Sequence, residues 1–314
     1  MKENVSNDHI KRKKLGNLIE CIRYTYGLNQ TTLAMTLGVA QSSISKIEKG
    51  DLTLSAFQWC DLAQSLNLPI ETIKNCYLDN RTVTVTNSYK MENGYEITPK
   101  YSENRCIKVR CLLPFISFMD LKINNAFFDN FLNELSKDTK SSKSTFLKRS
   151  FFCNLDNQVN LLFVETLIQK IKDSGASNHS IAEISYFFRL YDSHGLLAKS
   201  YEKEKNQINI LKQFIQNFPK YNNVLVHQIM DHDKNSLIFS STINDDLSES
   251  YLTTSDYCRN FIELLFEKVI KDISLINFQH SKINSPPPVS IKKHGGWNKK
   301  NGEMIFEITQ PLFA

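Results

Sequence analysis

The sequence predicts a multidomain protein in which an all-α bundle of five helices is followed by a larger α+β domain. Its 314 residues are enough for one small domain and one of ordinary size. Apolar residues recur at helical spacing from about residue 11 to residue 73. Beyond residue 105, segments with helical periodicity are interspersed with segments that alternate like strands, which favours an α+β fold.

The composition is that of a soluble globular protein, with 41% apolar and 23% charged residues. No uncharged apolar run reaches the roughly 18 residues that a membrane span needs, and the N-terminus lacks the apolar core of a signal peptide. The seven cysteines are odd in number and scattered, as in a cytoplasmic protein with reduced thiols. We therefore expect a cytoplasmic protein with no membrane partner, bound metal or cofactor.

Positive charge is concentrated near the N-terminus. The whole chain has a net charge of +5, and residues 1–50 alone contain eight basic and four acidic residues. The run from Lys11 to Lys14 opens the first predicted helix. Two interpretations of this run stay open, because it can lie along DNA phosphates or simply form a solvated helix start.

The first two helices have clear boundaries. Apolar residues at helical spacing predict a helix over residues 11–26, which ends at Gly27. Asn29 is a suitable N-cap for a second helix from Gln30 to Leu37. Gly38 can adopt a positive φ and so end this helix without steric cost.

A third helix is predicted from about Gln41 to Lys49, with Ile44 and Ile47 on its buried side. Its outer face is polar and consists of Gln41, Ser42, Ser45, Lys46 and Lys49. Glutamine can pair with adenine, serine can reach several base edges, and lysine suits guanine or phosphate. Two short helices joined by a tight turn, with a polar second helix, are typical of a helix-turn-helix that enters the DNA major groove. Apolar residues between Leu54 and Ile73 predict two further helices.

The segment from Arg23 to Gly50 resembles the lambda-repressor/Cro-like (XRE-type) helix-turn-helix domains. It contains, in order, Arg23, Gly27-Leu28-Asn29-Gln30, Leu33-Ala34, Leu37-Gly38-Val39, Gln41, Ile44-Ser45-Lys46-Ile47-Glu48 and Gly50. The resemblance implies that Gln30 binds a phosphate at a helix N-terminus, that Gln41, Ser42 and Ser45 face bases, and that Lys46 reaches base or backbone. It also implies a structural ion pair between Arg23 and Glu48.

One position departs from the family pattern. Ala40 stands where these domains usually have a serine or threonine N-cap, and its side chain cannot accept a hydrogen bond. Such a cap contributes about 0.5–2 kcal/mol to helix stability, so we expect a slightly less rigid third helix. The predicted domains are the DNA-binding bundle at 10–78, a linker or short β-arm at 79–104, and the α+β domain at 105–314.

The α+β domain is predicted from helices over 155–171, 207–218 and 254–273 and from a hairpin that pairs 224–230 with 237–243. A last strand is predicted over 304–308. The turn at Asp231-His-Asp233-Lys-Asn235 is similar to the start of a calcium loop, but Ser236 and Thr242 stand where that loop needs glycine and glutamate. We therefore interpret it as a polar hairpin turn. Many phenylalanines lie between residues 115 and 188, as an aromatic core or the lining of an apolar effector pocket.

Residues 180–312 resemble, more loosely, the effector-binding (arabinose-binding-type) domain of a subgroup of AraC-type regulators. The similarity rests on the order of the Arg189–Gly195 motif, a helix, a hairpin, a long helix, a proline-containing loop and a strand that leads into Gln310-Pro311-Leu312. It implies a small effector without identifying it. In that subgroup the DNA-binding part follows the effector domain, whereas here it comes first.

Together these patterns predict a homodimeric transcription regulator that binds double-stranded DNA and senses a small effector. No phosphate-binding glycine loop, nucleophile elbow or Ala-Gly self-cleavage site indicates an enzyme. Two alternatives remain, namely a peptide-pheromone-responsive regulator with a helical C-terminal domain and a DNA-tethered protein-interaction module of the antitoxin or phage-defence type.

Overall fold

The computed structural model describes residues 2–79, 95, 99–138, 147–176, 183–187, 201, 204, 206–244, 270, 289–294 and 303–309. The chain divides into two compact units, of which the first contains Met1–Pro99 and Asp129–Asn157. The second contains Lys100–Phe128 and Gln158–Ala314. Most of the predicted linker at 79–104, most of the predicted helix at 254–273, and the Arg189–Gly195 motif lie outside the described residues. The resemblance to AraC-type effector domains is not confirmed.

The prediction of a helical N-terminal region followed by a region of helices and antiparallel sheets is confirmed. The helices are α1 Lys2–Thr25, α2 Gln30–Thr36, α3 Gln41–Lys49, α4 Ala56–Ser65, α5 Ile70–Asn75, α6 Pro99–Ser102, α7 Leu113–Phe118, α8 Phe127–Asp138, α9 Leu161–Asp173 and α10 Gln207–Asn217. The strands are β1 Ile107–Lys108, β2 Gln158–Val159, β3 Leu225–His232, β4 Ser236–Ile243, β5 Ser290–His294 and β6 Glu303–Thr309.

Helices α1 to α5 enclose one apolar core in the first unit. The core contains Leu18, Ile22, Leu33, Ile44, Ile47, Leu54, Trp59, Leu62 and Leu68, all less than 10% exposed. Helix α1 begins at Lys2 rather than at the predicted residue 11. The first nine residues of the helix contain only two large apolar side chains, Val5 and Ile10, so apolar periodicity does not reveal them. Helix α4 begins at a capping box in which Ser55 and Gln58 satisfy each other's backbone amides.

Helix α1 crosses α3 with almost no space between the two backbones. A Cβ added to Gly16 of α1 would lie 2.3 Å from the carbonyl oxygen of Ile47 and 2.8 Å from that of Glu48. At the end of α3, Gly50 adopts a φ of +82°, and a Cβ added there would lie 2.9 Å from the Cα of Lys13. The crossing therefore requires glycine at both positions.

The segment 147–157 packs onto this bundle. The backbone of Leu78 forms a parallel bridge to it, with Leu78 N donating to Cys153 O at 2.7 Å and Leu155 N donating to Leu78 O at 2.9 Å. The Tyr95 ring lies 4.6 Å from that of Tyr24 and 5.3 Å from that of Phe151, measured between centroids. This segment lies within the predicted α+β domain at 105–314, whereas by its contacts it belongs to the compact first unit.

Helix α9 begins at Leu161, later than the predicted start at residue 155. Three asparagines lie before Leu161, and their side chains form hydrogen bonds with nearby backbone groups. Asn154 Oδ1 accepts from Asp156 N, Asn157 Nδ2 donates to Phe151 O, and Asn160 Oδ1 caps α9 by accepting from Phe163 N. Local bonds of this kind compete with helix formation, which apolar periodicity does not reveal.

An antiparallel sheet with the order β3-β4-β6-β5 lies in the second unit. The predicted hairpin and last strand are β3, β4 and β6, with a bulge in β3 between Ile229 and Asp231. The hairpin turn is closed by Asp233, whose Oδ1 accepts from the backbone of Asn235 and Ser236 at 2.7 Å each. Helix α10 packs on this sheet through Ile208, Leu211, Phe214 and Ile215.

His227 of β3 is a half-buried titratable side chain beside this packing. Its Nδ1 lies 2.7 Å from Ser241 Oγ, and its ring centroid lies 5.0 Å from that of Phe218 and 5.9 Å from that of Phe239. Removal from water disfavours the charged ring and lowers the pKa of His227 to about 3.

We expect Gly16→Ala to lower the free energy of unfolding of the first unit by about 1–3 kcal/mol, because the added Cβ forces α1 away from α3. The measurement is urea unfolding followed by the fluorescence of Trp59 in a Trp297→Phe background. Lys11→Ala, on the exposed side of the same helix, is the control and should change stability by less than about 0.5 kcal/mol. An unchanged midpoint for Gly16→Ala contradicts the close crossing.

We expect the second unit to lose stability as the pH falls from 6.5 towards 3. The unfolded chain protonates His227 below about pH 6.5, whereas the fold resists this until about pH 3. The loss from this residue approaches about 1.4 kcal/mol per pH unit. Thermal unfolding between pH 7 and pH 4 should show a smaller loss for His227→Gln than for the unchanged chain. Equal slopes would show that the fold does not lower the pKa of His227.

Candidate nucleic-acid interface

Helices α2 and α3 are held at a fixed angle by local features of the sequence. Asn29 Oδ1 accepts from Thr32 N at 2.8 Å and so caps α2. Gly38 then adopts a φ of +63° and turns the chain towards α3. Helix α3 begins at Gln41, and the preceding residue Ala40 provides no side-chain cap, as the sequence indicates. Its inward residues Ile44 and Ile47 are almost wholly buried.

The residues predicted to contact DNA form one surface. We call it the recognition surface, and it consists of Gln30, Gln41, Ser42, Ser45, Lys46 and Lys49. Gln41, Ser42, Lys46 and Lys49 are exposed. Ser45, expected to be exposed, is half-buried, and so is Gln30. The contacts of these residues with DNA remain a prediction, and so does phosphate binding by Gln30.

Gln30 connects the recognition surface to the interior. Its Oε1 accepts a hydrogen bond from Gln41 Nε2, and its Nε2 donates to Glu48 Oε2 at 2.8 Å. The first residue of α2 thus fixes the first residue of α3. A glutamine already held in position loses less conformational freedom when it pairs with a base.

The carboxylate of Glu48 also binds Arg23 of α1. Arg23 Nε donates to Glu48 Oε1 at 2.6 Å and Nη2 donates to Oε2 at 3.2 Å, with side chains only 10% and 7% exposed. Burial opposes the charge on Arg23, but the hydrogen bonds and charge of Glu48 outweigh it and raise the pKa of Arg23. The guanidinium also stacks over the Tyr24 ring at 4.4 Å. The ion pair implied by the family resemblance is therefore present and bidentate.

A cleft of about 400 Å³ borders one side of the recognition surface. Its walls come from α1, α2, α3, α8 and the start of the 147–157 segment, all within the first unit. They include Lys13, Glu20, Gln30, Ser45, Lys49, Asp129, Asn133, Lys148 and Arg149. We refer to this space as the cleft.

Ion pairs join α1 to the opposite wall of the cleft. Lys13 Nζ lies 2.7 Å from Asp129 Oδ2, and Arg149 Nη1 lies 3.5 Å from Asp129 Oδ1. Lys148 Nζ lies 2.9 Å from Glu20 Oε1. Of the run Lys11 to Lys14, at least Lys13 therefore has a carboxylate partner within the chain.

Gly16, Asp129 and Arg149 were not among the residues predicted from the sequence. Gly16 has a detectable signal, because a glycine inside an amphipathic helix costs about 1 kcal/mol relative to alanine and needs a packing reason. Asp129 and Arg149 have none, because their partners are remote in sequence.

The described residues show no group of histidine, cysteine, aspartate and glutamate suited to a metal. Their cysteines are free thiols, and burial raises the pKa of Cys21 and Cys111 to about 12. Cys258 lies outside the described residues. Among the described helices, none is both long and apolar enough to cross a membrane.

Comparison with known proteins identifies the N-terminal module. Residues 23–73 match the family model described as helix-turn-helix, of the Cro/C1 (XRE) type. No curated protein matches the chain.

Two solved structures are similar over a larger part of the chain. Both are crystal structures of the Fe(II) unliganded H-NOX protein from K. algicida, one of them a point mutant, with 12% identity to this chain. The alignments cover 66% of this chain and 97% and 98% of those chains, with TM-scores of 0.41 for the mutant and 0.38 for the other.

We expect Glu48→Gln to destabilise the first unit by about 3 kcal/mol, because it leaves the buried guanidinium of Arg23 without a counter-charge. The double variant Arg23→Met with Glu48→Met should recover most of this loss, since no buried charge then remains. Urea unfolding monitored by Trp59 fluorescence, again with Trp297→Phe, measures both. A double variant as unstable as Glu48→Gln would show that the loss is one of packing rather than charge.

Proposed function

We propose that this chain is a sequence-specific transcription regulator that reads the DNA major groove with α3. The helix-turn-helix match at 23–73 supports a DNA-binding regulator. The observation that best supports sequence-specific binding is the bonded series Gln41–Gln30–Glu48–Arg23, which runs from an exposed glutamine to a buried ion pair. It orients Gln41 before DNA arrives.

The roles of the recognition surface follow from its chemistry. Gln41 is suited to pair with adenine through its amide, and Ser42 and Ser45 to reach neighbouring base edges. Lys46 and Lys49 supply positive charge for guanine or phosphate. Gln30, at the start of α2, is placed to bind a phosphate while it holds Gln41.

We further propose that the regulator is a cytoplasmic homodimer whose two α3 helices occupy half-sites about one DNA turn apart. The second unit would supply dimerisation and bind a small effector that alters the spacing or orientation of those helices. The antiparallel sheet of the second unit favours an effector-binding domain over the wholly helical C-terminal domain of a pheromone receptor. A DNA-tethered protein-interaction module remains the alternative from another class, and co-purification of a stoichiometric partner would support it.

We expect the double variant Gln41→Ala with Ser45→Ala to abolish specific footprints while the fold is retained. Each lost base contact costs about 1–3 kcal/mol, so the affinity for the preferred duplex should fall by at least about tenfold. The duplex is selected from a randomised library by the purified full chain, and circular dichroism checks the fold.

Gln64→Ala, an exposed glutamine on α4, is the matched control and should leave the footprint unchanged. A normal footprint from the double variant would mean that α3 is not the recognition helix. Failure of the unchanged chain to select any duplex would refute DNA reading itself.

A further inference from the structure

Helix α8 stands across the cleft from part of the recognition surface. One wall of the cleft contains Gln30, Ser45 and Lys49, and the opposite wall contains Asp129 and Asn133 of α8. Gln41, Ser42 and Lys46 do not line it. This arrangement explains why Ser45 is half-buried although it lies on the outer side of α3.

We propose that α8 is an autoinhibitory element, which faces Ser45 and Lys49 across the cleft when no DNA is bound and so blocks the approach of a duplex to this side of the recognition surface. This inference rests on the proposed function. We call the ion pairs of Asp129 with Lys13 and with Arg149 the Asp129 clamp. DNA binding requires the clamp to open, so the chain exists in a closed and an open state.

The dimensions of DNA make the closed state unsuited to binding. The major groove is about 12 Å wide and admits one helix, whose own diameter with side chains is about 10–12 Å. A second helix beside α3, facing the same side chains across the cleft, has no room in the groove. Ser45 and Lys49 therefore reach a duplex only after α8 moves away.

The charges of the cleft support closure rather than a site for a free anion. Lys13 and Arg149 share the carboxylate of Asp129, and Lys148 is paired with Glu20. Within the described residues, Lys49 is the lining cation to which no carboxylate is paired. The chain thus already supplies an anion to this basic cluster, because the Asp129 carboxylate lies beside Lys13 and Arg149, in the cleft that Lys49 also lines.

The clamp is one of several contacts that hold α8. The Lys13 side chain is 48% exposed, so its ion pair contributes little to stability, whereas Arg149 and Asp129 are 16% and 19% exposed. Phe131, Leu132 and Leu135 of the same helix are at most 6% exposed, so the ion pairs set only part of the balance between the two states.

In contrast, Phe151 and Cys153 are anchored in the first unit by the Leu78 bridge and the Tyr95 ring. The 147–157 segment therefore stays in place while α8 moves. The chain on the N-terminal side of α8 belongs to the second unit, so a change there can bias the two states.

The test uses two substitutions of opposite charge, Asp129→Asn and Arg149→Gln, in the full chain. If the clamp holds the closed state, both substitutions should raise the affinity for the library-selected duplex by about two- to fivefold, because each removes an ion pair of the clamp. Simple electrostatic attraction to DNA predicts opposite signs, with a gain for Asp129→Asn and a loss for Arg149→Gln.

The charge-matched controls are Asp61→Asn and Lys137→Gln, which are exposed residues that do not line the cleft. They should change affinity by less than the clamp variants, and Lys137→Gln should not raise it. A lower or unchanged affinity for Arg149→Gln would overturn the proposal while DNA binding by the unchanged chain stands. If neither the unchanged chain nor the clamp variants bind any selected duplex, the proposed function fails as well.

Hydrogen exchange on the unchanged chain provides a second measurement that does not depend on any variant folding correctly. With the selected duplex bound, backbone amides of residues 129–138 should exchange faster than in the free protein, while those of α3 exchange more slowly. Slower or unchanged exchange over 129–138 on DNA binding would show that α8 stays closed, and would overturn the proposal.

Discussion

The carboxylate of Glu48 is the interaction on which the N-terminal module depends. It lies on α3, yet it binds Arg23 of α1 and Gln30 of α2, so that one buried group joins three helices. Removal of one partner would leave an unpaired buried charge, which is strongly destabilising. The three helices must therefore keep the positions that allow this pairing. The same carboxylate fixes Gln30, which fixes Gln41. Stability of the core and orientation of the recognition surface are therefore set by the same atoms.

The close crossing of α1 and α3 adds a second constraint of a different kind. Because Gly16 lets the two backbones approach, Lys13 lies near the end of α3. One member of the basic run Lys11–Lys14, within α1, thereby lines the same cleft as Lys49. A packing requirement in the interior thus decides which charges surround the recognition surface.

Local sequence signals predicted the module well, and long-range contacts were beyond their reach. Helices α2 and α3 were predicted from signals that act within a few residues, namely the Asn29 cap, the Gly38 turn and the apolar spacing of Ile44 and Ile47. The hairpin of β3 and β4 was predicted in the same way, from alternating apolar residues on either side of a polar turn. The start of α9 was misplaced because asparagine side chains compete with the helix backbone. The approach of Asp129 to Lys13 joins residues 116 positions apart, and no periodicity encodes it.

The discontinuity of the first unit has a consequence for how such a gene can change. The unit is assembled from Met1–Pro99 and Asp129–Asn157, with a stretch of the other unit between them. A single crossover after the helix-turn-helix would leave behind Phe151 and Cys153, and with them the backbone bridge to Leu78. We expect exchange of this DNA-binding module between genes to need two coordinated breakpoints, so its specificity should diverge by point substitution within α3 rather than by replacement of the whole module.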